Sequence, residues 1–314
     1  MLLNKYPLHP DYRKISLLNF PASVSLLPAF NFCLSEINKQ EHSTKSVRVY
    51  RKQINGYRGT RINLLIYEPY NLPENAPCLI YYHGGGFMFK ASTHHFSTVR
   101  TYALKTGCKV IFPDYSTLPE TAFPTPAEEC YKTYIWAVKN AAILDINPKK
   151  IAVAGDSAGG NLAAAVTLMA RDRHAPLPCF QMLIYPVLDR RMKTDSMKKY
   201  YDTPMWNSGL SMIMWKLYLR RGESEHMEYA SPSEAKDLSG LPPAYIETAE
   251  FDCLHDEGIL YAERLKESGN KVTLRNTKGT PHGYDCIPNA HITRTCMKLR
   301  ILHLKKAFEE GENA

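Results

Sequence analysis

The eight cysteines of this 314-residue chain include no C-x-x-C pair, so the zinc and redox motifs built on that spacing are absent. No apolar run approaches the ~18 residues that a membrane-spanning helix requires, and no membrane insertion is expected. The opening segment "MLLNKYPLHPDYRK" lacks the charged, then apolar, then small-residue order of a secretory signal. Internal repeats and low-complexity blocks are missing as well. Basic pairs occur at Lys149-Lys150, Arg190-Arg191, Lys198-Lys199 and Arg220-Arg221, but they are dispersed and no acidic or Gly/Arg tail adjoins them. The net charge of +8 therefore reads as a solvated basic surface, not a nucleic-acid patch. Most cysteines sit in apolar runs, as Cys78 does in "APCLIYY", and buried reduced thiols fit a soluble, cytoplasmic protein.

What is present is enough apolar material for a large core. Hydrophobic residues make up 44 % of the chain and charged residues 22 %, which excludes disorder as the dominant state. Short apolar segments read as buried parallel strands at 78–83, 108–114, 150–155, 180–186, 244–249 and 271–276. Helical patterns alternate with them at 127–145, 158–173, 256–269 and 294–310. Strand–helix alternation predicts a mostly parallel sheet covered on both faces. Two regions break the rhythm. Residues 1–45 show no strand pattern, and 190–235 concentrates Met205, Met212, Trp206 and Trp215, which suggests a helical cap with an apolar acyl site or its own small core.

The chemistry begins at Gly155-Asp156-Ser157-Ala158-Gly159, a G-x-S-x-G pattern between an apolar strand and an Ala-rich helix. That strand–tight turn–helix layout is what a nucleophile elbow needs, because small flanking residues let Ser157 project its hydroxyl above the sheet. A serine hydroxyl needs a base, and the base needs an orienting acid. In this architecture the acid and then the histidine follow the serine in the chain. Asp252 stands first after the strand 244–249, while Asp256 and Glu257 read as the acidic first turn of the next helix. His282 lies in the loop "GTPHGYD" after the last strand, with His255 as a rival base at a helix start. Asp285 follows His282 and so has the wrong order for the acid. His83-Gly84-Gly85-Gly86, after the strand 78–83, supplies bare backbone N–H groups where an oxyanion would need donors. The hole would draw on Gly84, Gly85 or Gly86 and on Ala158; His83 reads as a loop-organising hydrogen bonder and, with Asp156 before Ser157, as a support of the motif.

The combination of "YYHGGGF", "PDYSTLPETAFPTPAEE", "GDSAGGNLA", "LIYPVLD", "LPPAYIETAEFDCLHDEG" and "HGY" resembles the hormone-sensitive-lipase family of α/β-hydrolase esterases, over roughly residues 60 to 310. The resemblance implies an α/β-hydrolase fold with a mostly parallel eight-stranded sheet flanked by helices. It implies a catalytic domain over 46–314, with a cap formed by the segment 1–45 and an insertion at about 190–235. It also implies Ser157 as nucleophile, Asp252 as acid, His282 as base, an oxyanion loop at His83–Gly86, and hydrolysis of short- to medium-chain acyl esters without metal or cofactor. Ser116 and Thr117 stand where Arg and Leu are usual, Cys253 where Pro is frequent, and His255 where Arg is frequent. None of these removes a catalytic group. Asp114, Tyr115 and Glu120 read as structural supports, and Asp189 as a loop residue.

Two other functions remain open on sequence alone. A receptor that keeps the fold without turnover would be expected to lack the histidine, which is present here. An amidase would use the same triad, and nothing in the sequence separates the leaving groups. Small soluble esters are the expected partners. Pairing of two copies through the last strand and the helix 294–310 is a further possibility by fold analogy.

Overall fold

A computed structural model describes residues 5–17, 24–222 and 225–311. Parts of the expected cap, at 1–4, 18–23 and 223–224, lie outside the described residues. Eight strands form one sheet: β1 (Val47–Asn55), β2 (Arg61–Pro69), β3 (Ala76–Tyr82), β4 (Lys109–Asp114), β5 (Ile146–Asp156), β6 (Phe180–Ile184), β7 (Ala244–Phe251) and β8 (Val272–Pro281). Their spatial order is β1-β2-β4-β3-β5-β6-β7-β8. β2 pairs antiparallel with both neighbours, and every pair from β4 to β8 is parallel.

The helices are α1 (Leu27–Lys39), α2 (Thr93–Thr106), α3 (Thr125–Lys139), α4 (Ala141–Leu144), α5 (Ala158–Asp172), α6 (Asp195–Lys199), α7 (Ser208–Tyr218), α8 (His255–Glu267) and α9 (His291–Glu310). Alternate residues of the central strands feed two cores. Leu79 and Tyr81 of β3 and Ala152 and Ala154 of β5 face a layer that holds Phe96 and Tyr102 of α2 and Leu304 of α9. Cys78, Ile80, Ile151 and Val153 face the opposite layer, with Tyr134 of α3, Leu162 of α5 and Leu265 of α8. A period of two in the strands thus builds a three-layer sandwich. Every residue of α5 from Ala158 to Ala170 is buried. Its small alanines let it lie close to the sheet, and its larger side chains each contribute about 1.5–3 kcal/mol by burial.

The six strands and four helices expected from the sequence are present, with three differences. The single helix expected over 127–145 divides at Asn140, whose side-chain amide donates to the Trp136 carbonyl (2.8 Å). The last strand continues to Pro281, one residue before His282. The hairpin β1–β2 lies outside the expected strands: β1 (VRVYRKQIN) is an edge strand that buries only Val47 and Ile54, while β2 (RINLLIYEP) is largely buried.

β3 lies between β4 and β5, so the chain leaves β3 to one side and returns as β5 on the other. The loops after β3 and β5 therefore diverge and open a crevice at the carboxyl ends of the strands. Residues 84–90 and Ser157 meet there. α1 rests on this loop: the Asn31 side chain donates to the Met88 carbonyl (2.7 Å) and accepts from the Lys90 N–H (2.9 Å). Asp202 accepts from Lys5 Nζ at 2.6 Å and from the Tyr6 hydroxyl, which joins the N-terminal segment to residues 190–235.

Candidate active site

Ser157 occupies the turn between β5 and α5 with φ 54° and ψ −119°. A non-glycine residue in that conformation is strained and has to be held by its surroundings. Its N–H donates to the Ile184 carbonyl (2.8 Å), and its carbonyl accepts from Val187 N–H (3.1 Å). The glycines around it are demanded by space. A Cβ on Gly159 would lie 1.9 Å from the Tyr82 carbonyl oxygen, and one on Gly155 2.3 Å from the Gly159 backbone.

The structure brings Ser157, His282 and Asp252 together. His282 Nε2 lies 2.9 Å from Ser157 Oγ, and His282 Nδ1 lies 2.6 Å from Asp252 Oδ2. All three side chains are buried, Asp252 completely (0 % exposed). A carboxylate only accepts, so Nδ1 carries the ring proton and Nε2 presents its lone pair to the serine hydroxyl. The second oxygen of Asp252 accepts from Leu254 N–H (2.9 Å), which fixes the carboxylate plane. The rival His255 faces away: its nitrogens meet Asp256 and Asn276, each at 2.7 Å.

The three glycines after His83 have different tasks. Gly84 N–H donates to Asp156 Oδ1 (3.0 Å), and a Cβ there would strike Asp156 Oδ2 at 2.2 Å. Gly85 (φ 110°) and Gly86 (φ 60°) adopt conformations open to glycine and line a cavity of about 140 Å³ with Ser157 and His282. Among the described residues, no group accepts a hydrogen bond from the N–H of Gly85, Gly86 or Ala158. Ala158 opens α5, where the first N–H groups have no partner within the helix.

His83 sits below this loop. Its Nδ1 donates to the Gly84 carbonyl (2.7 Å), and its ring stacks on Tyr115 at 4.3 Å. Burial drives its pKa down to about 3, so the imidazole is neutral at every ordinary pH. Tyr115 in turn donates to the His83 carbonyl (2.8 Å), as expected of a support, and Asp114 pairs with Lys90 (2.8 Å).

Of the four apolar residues named within 190–235, Met205 and Trp206 line the cavity. Trp215 is buried in the core beside Tyr218, and Met212 is 64 % exposed. Glu257 holds the first turn of α8 as read, but it is buried, accepts from Leu188 N–H, and burial raises its carboxyl well above the usual range.

Asp156 is placed at the site by its motif, but its partners, and Tyr185, Asp285 and Arg300 behind His282, have no local signature in the sequence. Asp156 accepts from the Tyr81 hydroxyl (2.9 Å) and faces His95 Nε2 (3.4 Å). Burial alone would raise this carboxyl, but His95 holds it below its ordinary value. Beneath His282, Tyr185 packs edge-on against the imidazole at 4.8 Å and donates its hydroxyl to Asp285. Asp285 also accepts from Arg300 (2.7 Å), and Arg300 reaches Glu247. The only hint in the sequence is that Asp285 follows "HGY". Among the described residues, no cluster of histidine, cysteine and carboxylate side chains could hold a metal ion. None of their helices is long and apolar enough to cross a membrane.

Comparison with known proteins agrees with this geometry. Residues 79–285 match the family described as alpha/beta hydrolase fold. The chain is 37 % identical over 234 residues to carboxylesterase NlhH of Mycobacterium tuberculosis, covering 73 % of each chain. It is 31 % identical over 288 residues to an arylesterase of Saccharolobus solfataricus, covering 88 % of this chain and 92 % of that one. A solved structure of a bacterial heroin esterase superimposes with a TM-score of 0.86 at 32 % identity, covering 96 % of this chain and 98 % of that one. The chain belongs to the alpha/beta-hydrolase family, in its hormone-sensitive-lipase-like branch.

Proposed function

We propose that the protein is a serine carboxylesterase that hydrolyses small acyl esters through Ser157, His282 and Asp252. The contact of His282 Nε2 with Ser157 Oγ at 2.9 Å, on a histidine already held by Asp252, carries this reading. Similarity to carboxylesterases and arylesterases supports the reaction class. His282 takes the hydroxyl proton as Ser157 Oγ bonds to the ester carbonyl carbon. Asp252 stabilises the imidazolium that forms. The carbonyl oxygen becomes an oxyanion, received by the N–H groups of Gly85, Gly86 and Ala158. Gly84 is excluded from that role because its N–H is turned to Asp156. The C–O bond to the alcohol then breaks, and His282 returns its proton to the leaving oxygen. Water repeats the sequence on the acyl-enzyme, with His282 again as base, and releases the acid.

The cavity of about 140 Å³ is comparable to an engineered protein cavity that holds a benzene molecule, so it favours short acyl or alkyl arms. The N-terminal segment and residues 190–235 act as its cap, with Met205 and Trp206 as the apolar wall. All eight cysteines are free, which supports a reducing, cytoplasmic setting. The test is a series of 4-nitrophenyl esters from acetate to dodecanoate, with Ser157→Ala in parallel. Rates are expected to peak at short chains and to fall at least about 10⁴-fold in the variant. Equal rates for the two proteins would refute the assignment.

A further inference from the structure

His94 lies in the wall of the cavity that contains Ser157, yet the triad and the proposed oxyanion hole leave it without a task. It is the second residue of α2, and its side chain is about a quarter (24 %) exposed. Its Nε2 faces Asp285 Oδ1 at 3.6 Å, and among the described residues its Nδ1 has no hydrogen-bond partner. Asp285 is held as an anion, since burial is outweighed by Arg300 and by His94 itself, which keep its carboxyl far below the usual range. The charged and titratable groups around the His94 ring are Asp285, Asp156 at the end of β5, Arg300 from α9, Tyr185 and the neighbouring His95, whose ring centroid is 5.6 Å away. Burial opposes a charge on the ring, but Asp285 and then Asp156 outweigh burial and Arg300, so its pKa stands above 6.5. The positive end of α2 also opposes that charge, but a full carboxylate 3.6 Å away is the stronger field.

Two states follow from this geometry. When the ring is protonated, Asp285 faces the Nε2 proton and the Nδ1 proton has no partner among the described residues, on a ring that lines the cavity. When it is neutral, the carboxylate keeps the proton on Nε2, and Nδ1 changes from donor to acceptor. We propose that His94 determines specificity: its protonated ring donates from Nδ1 to an ether or carbonyl oxygen on the ester arm lodged in this cavity, so that such esters are preferred to their hydrocarbon isosteres. This inference rests on the esterase reading above.

The test compares isosteric pairs. On the acyl side the pair is 4-nitrophenyl methoxyacetate and 4-nitrophenyl butanoate; on the alcohol side it is 2-methoxyethyl acetate and butyl acetate. For each pair, the ratio of kcat/KM values is measured from pH 6 to 9 for wild type, His94→Leu and His94→Gln. Comparing ratios between proteins cancels both the intrinsic reactivity of the esters and the protonation of His282. In at least one pair the ratio is expected to be about tenfold lower in His94→Leu than in wild type at pH 6. The wild-type ratio should fall as pH rises through the titration of His94. In His94→Gln, whose amide donates without titrating, it should be flat. Ratios that match between wild type and His94→Leu in both pairs, or a wild-type ratio that is as flat as that of His94→Gln, overturn the inference. Should His94→Leu fail to fold, the pH comparison with His94→Gln decides. Absence of turnover of every ester by the wild type would instead refute the esterase reading.

Discussion

Asp156, the residue before Ser157, joins the two halves of the site. Its carboxylate accepts from Tyr81 and Gly84 and faces His95. By drawing the Gly84 N–H inward it leaves Gly85 and Gly86 to face the cavity, so one side chain sets the aim of the proposed oxyanion donors. An amide at this position has one acceptor oxygen and turns an NH₂ toward at least one of three donors. Asp156→Asn is therefore expected to lower kcat for a short ester by up to about 10²-fold, through misplacement of the loop, with KM nearly unchanged. A kcat within twofold of wild type would show that the loop does not depend on this anchor. From the sequence Asp156 reads as a support of the G-x-S-x-G motif, but what it supports is not legible there. Its partners stand 61 to 75 residues away, and local pattern carries no information about contacts at that range.

At the scale of elements, the elbow was legible because its constraints are local. A strand, a tight turn and a helix must follow one another, and the glycines that permit the turn lie within a few residues of Ser157. That Ser157, Asp252 and His282 could meet was legible for a similar reason, since each follows its own strand. β1 was not legible, because an edge strand with one solvated face looks like a charged loop; the apolar run of β2 (RINLLIYEP) gives no sign of the partner it pairs with. The steric account of the elbow makes a graded prediction. Gly159→Ala drives a methyl group to 1.9 Å from the Tyr82 carbonyl at the junction of α5 with β3, where backbone meets backbone. It is expected to destabilise at or beyond the upper end of the ~1–3 kcal/mol of ordinary overpacking. Gly269→Ala, at φ 85° but with nothing within 4 Å, bears only the conformational penalty of about 1–2 kcal/mol. Urea unfolding of both variants checks the ranking. Equal losses would mean that φ alone, not the close approach of α5 to β3, accounts for the glycines.

The whole molecule is tied together behind the site by Arg300. This α9 side chain is 1 % exposed and spans Glu247 on β7 and Asp285 in the loop after His282, while the Tyr245 and Tyr284 hydroxyls donate to the same Glu247. One guanidinium thus fixes the last helix, a central strand and the histidine loop to one another. Removing one member of a buried ion network strands the others, so Arg300→Met should destabilise by about 3–5 kcal/mol at pH 8. Its pH dependence should also reverse. In wild type Asp285 has a carboxyl depressed below 3.8, so its stabilising contribution is complete above that pH and is lost only as pH falls through the lower folded value. Without Arg300, burial becomes the dominant influence and lifts the folded carboxyl above the unfolded one. The variant should then gain stability as pH falls from 8 toward 5, while the Asp285 contribution in wild type stays constant over that range. Urea midpoints of both proteins at pH 8, 6.5 and 5 make the comparison. A gap that does not narrow on acidification would mean that Arg300 acts through packing of its long side chain, and that the charges of the network do not govern how α9 holds the histidine loop.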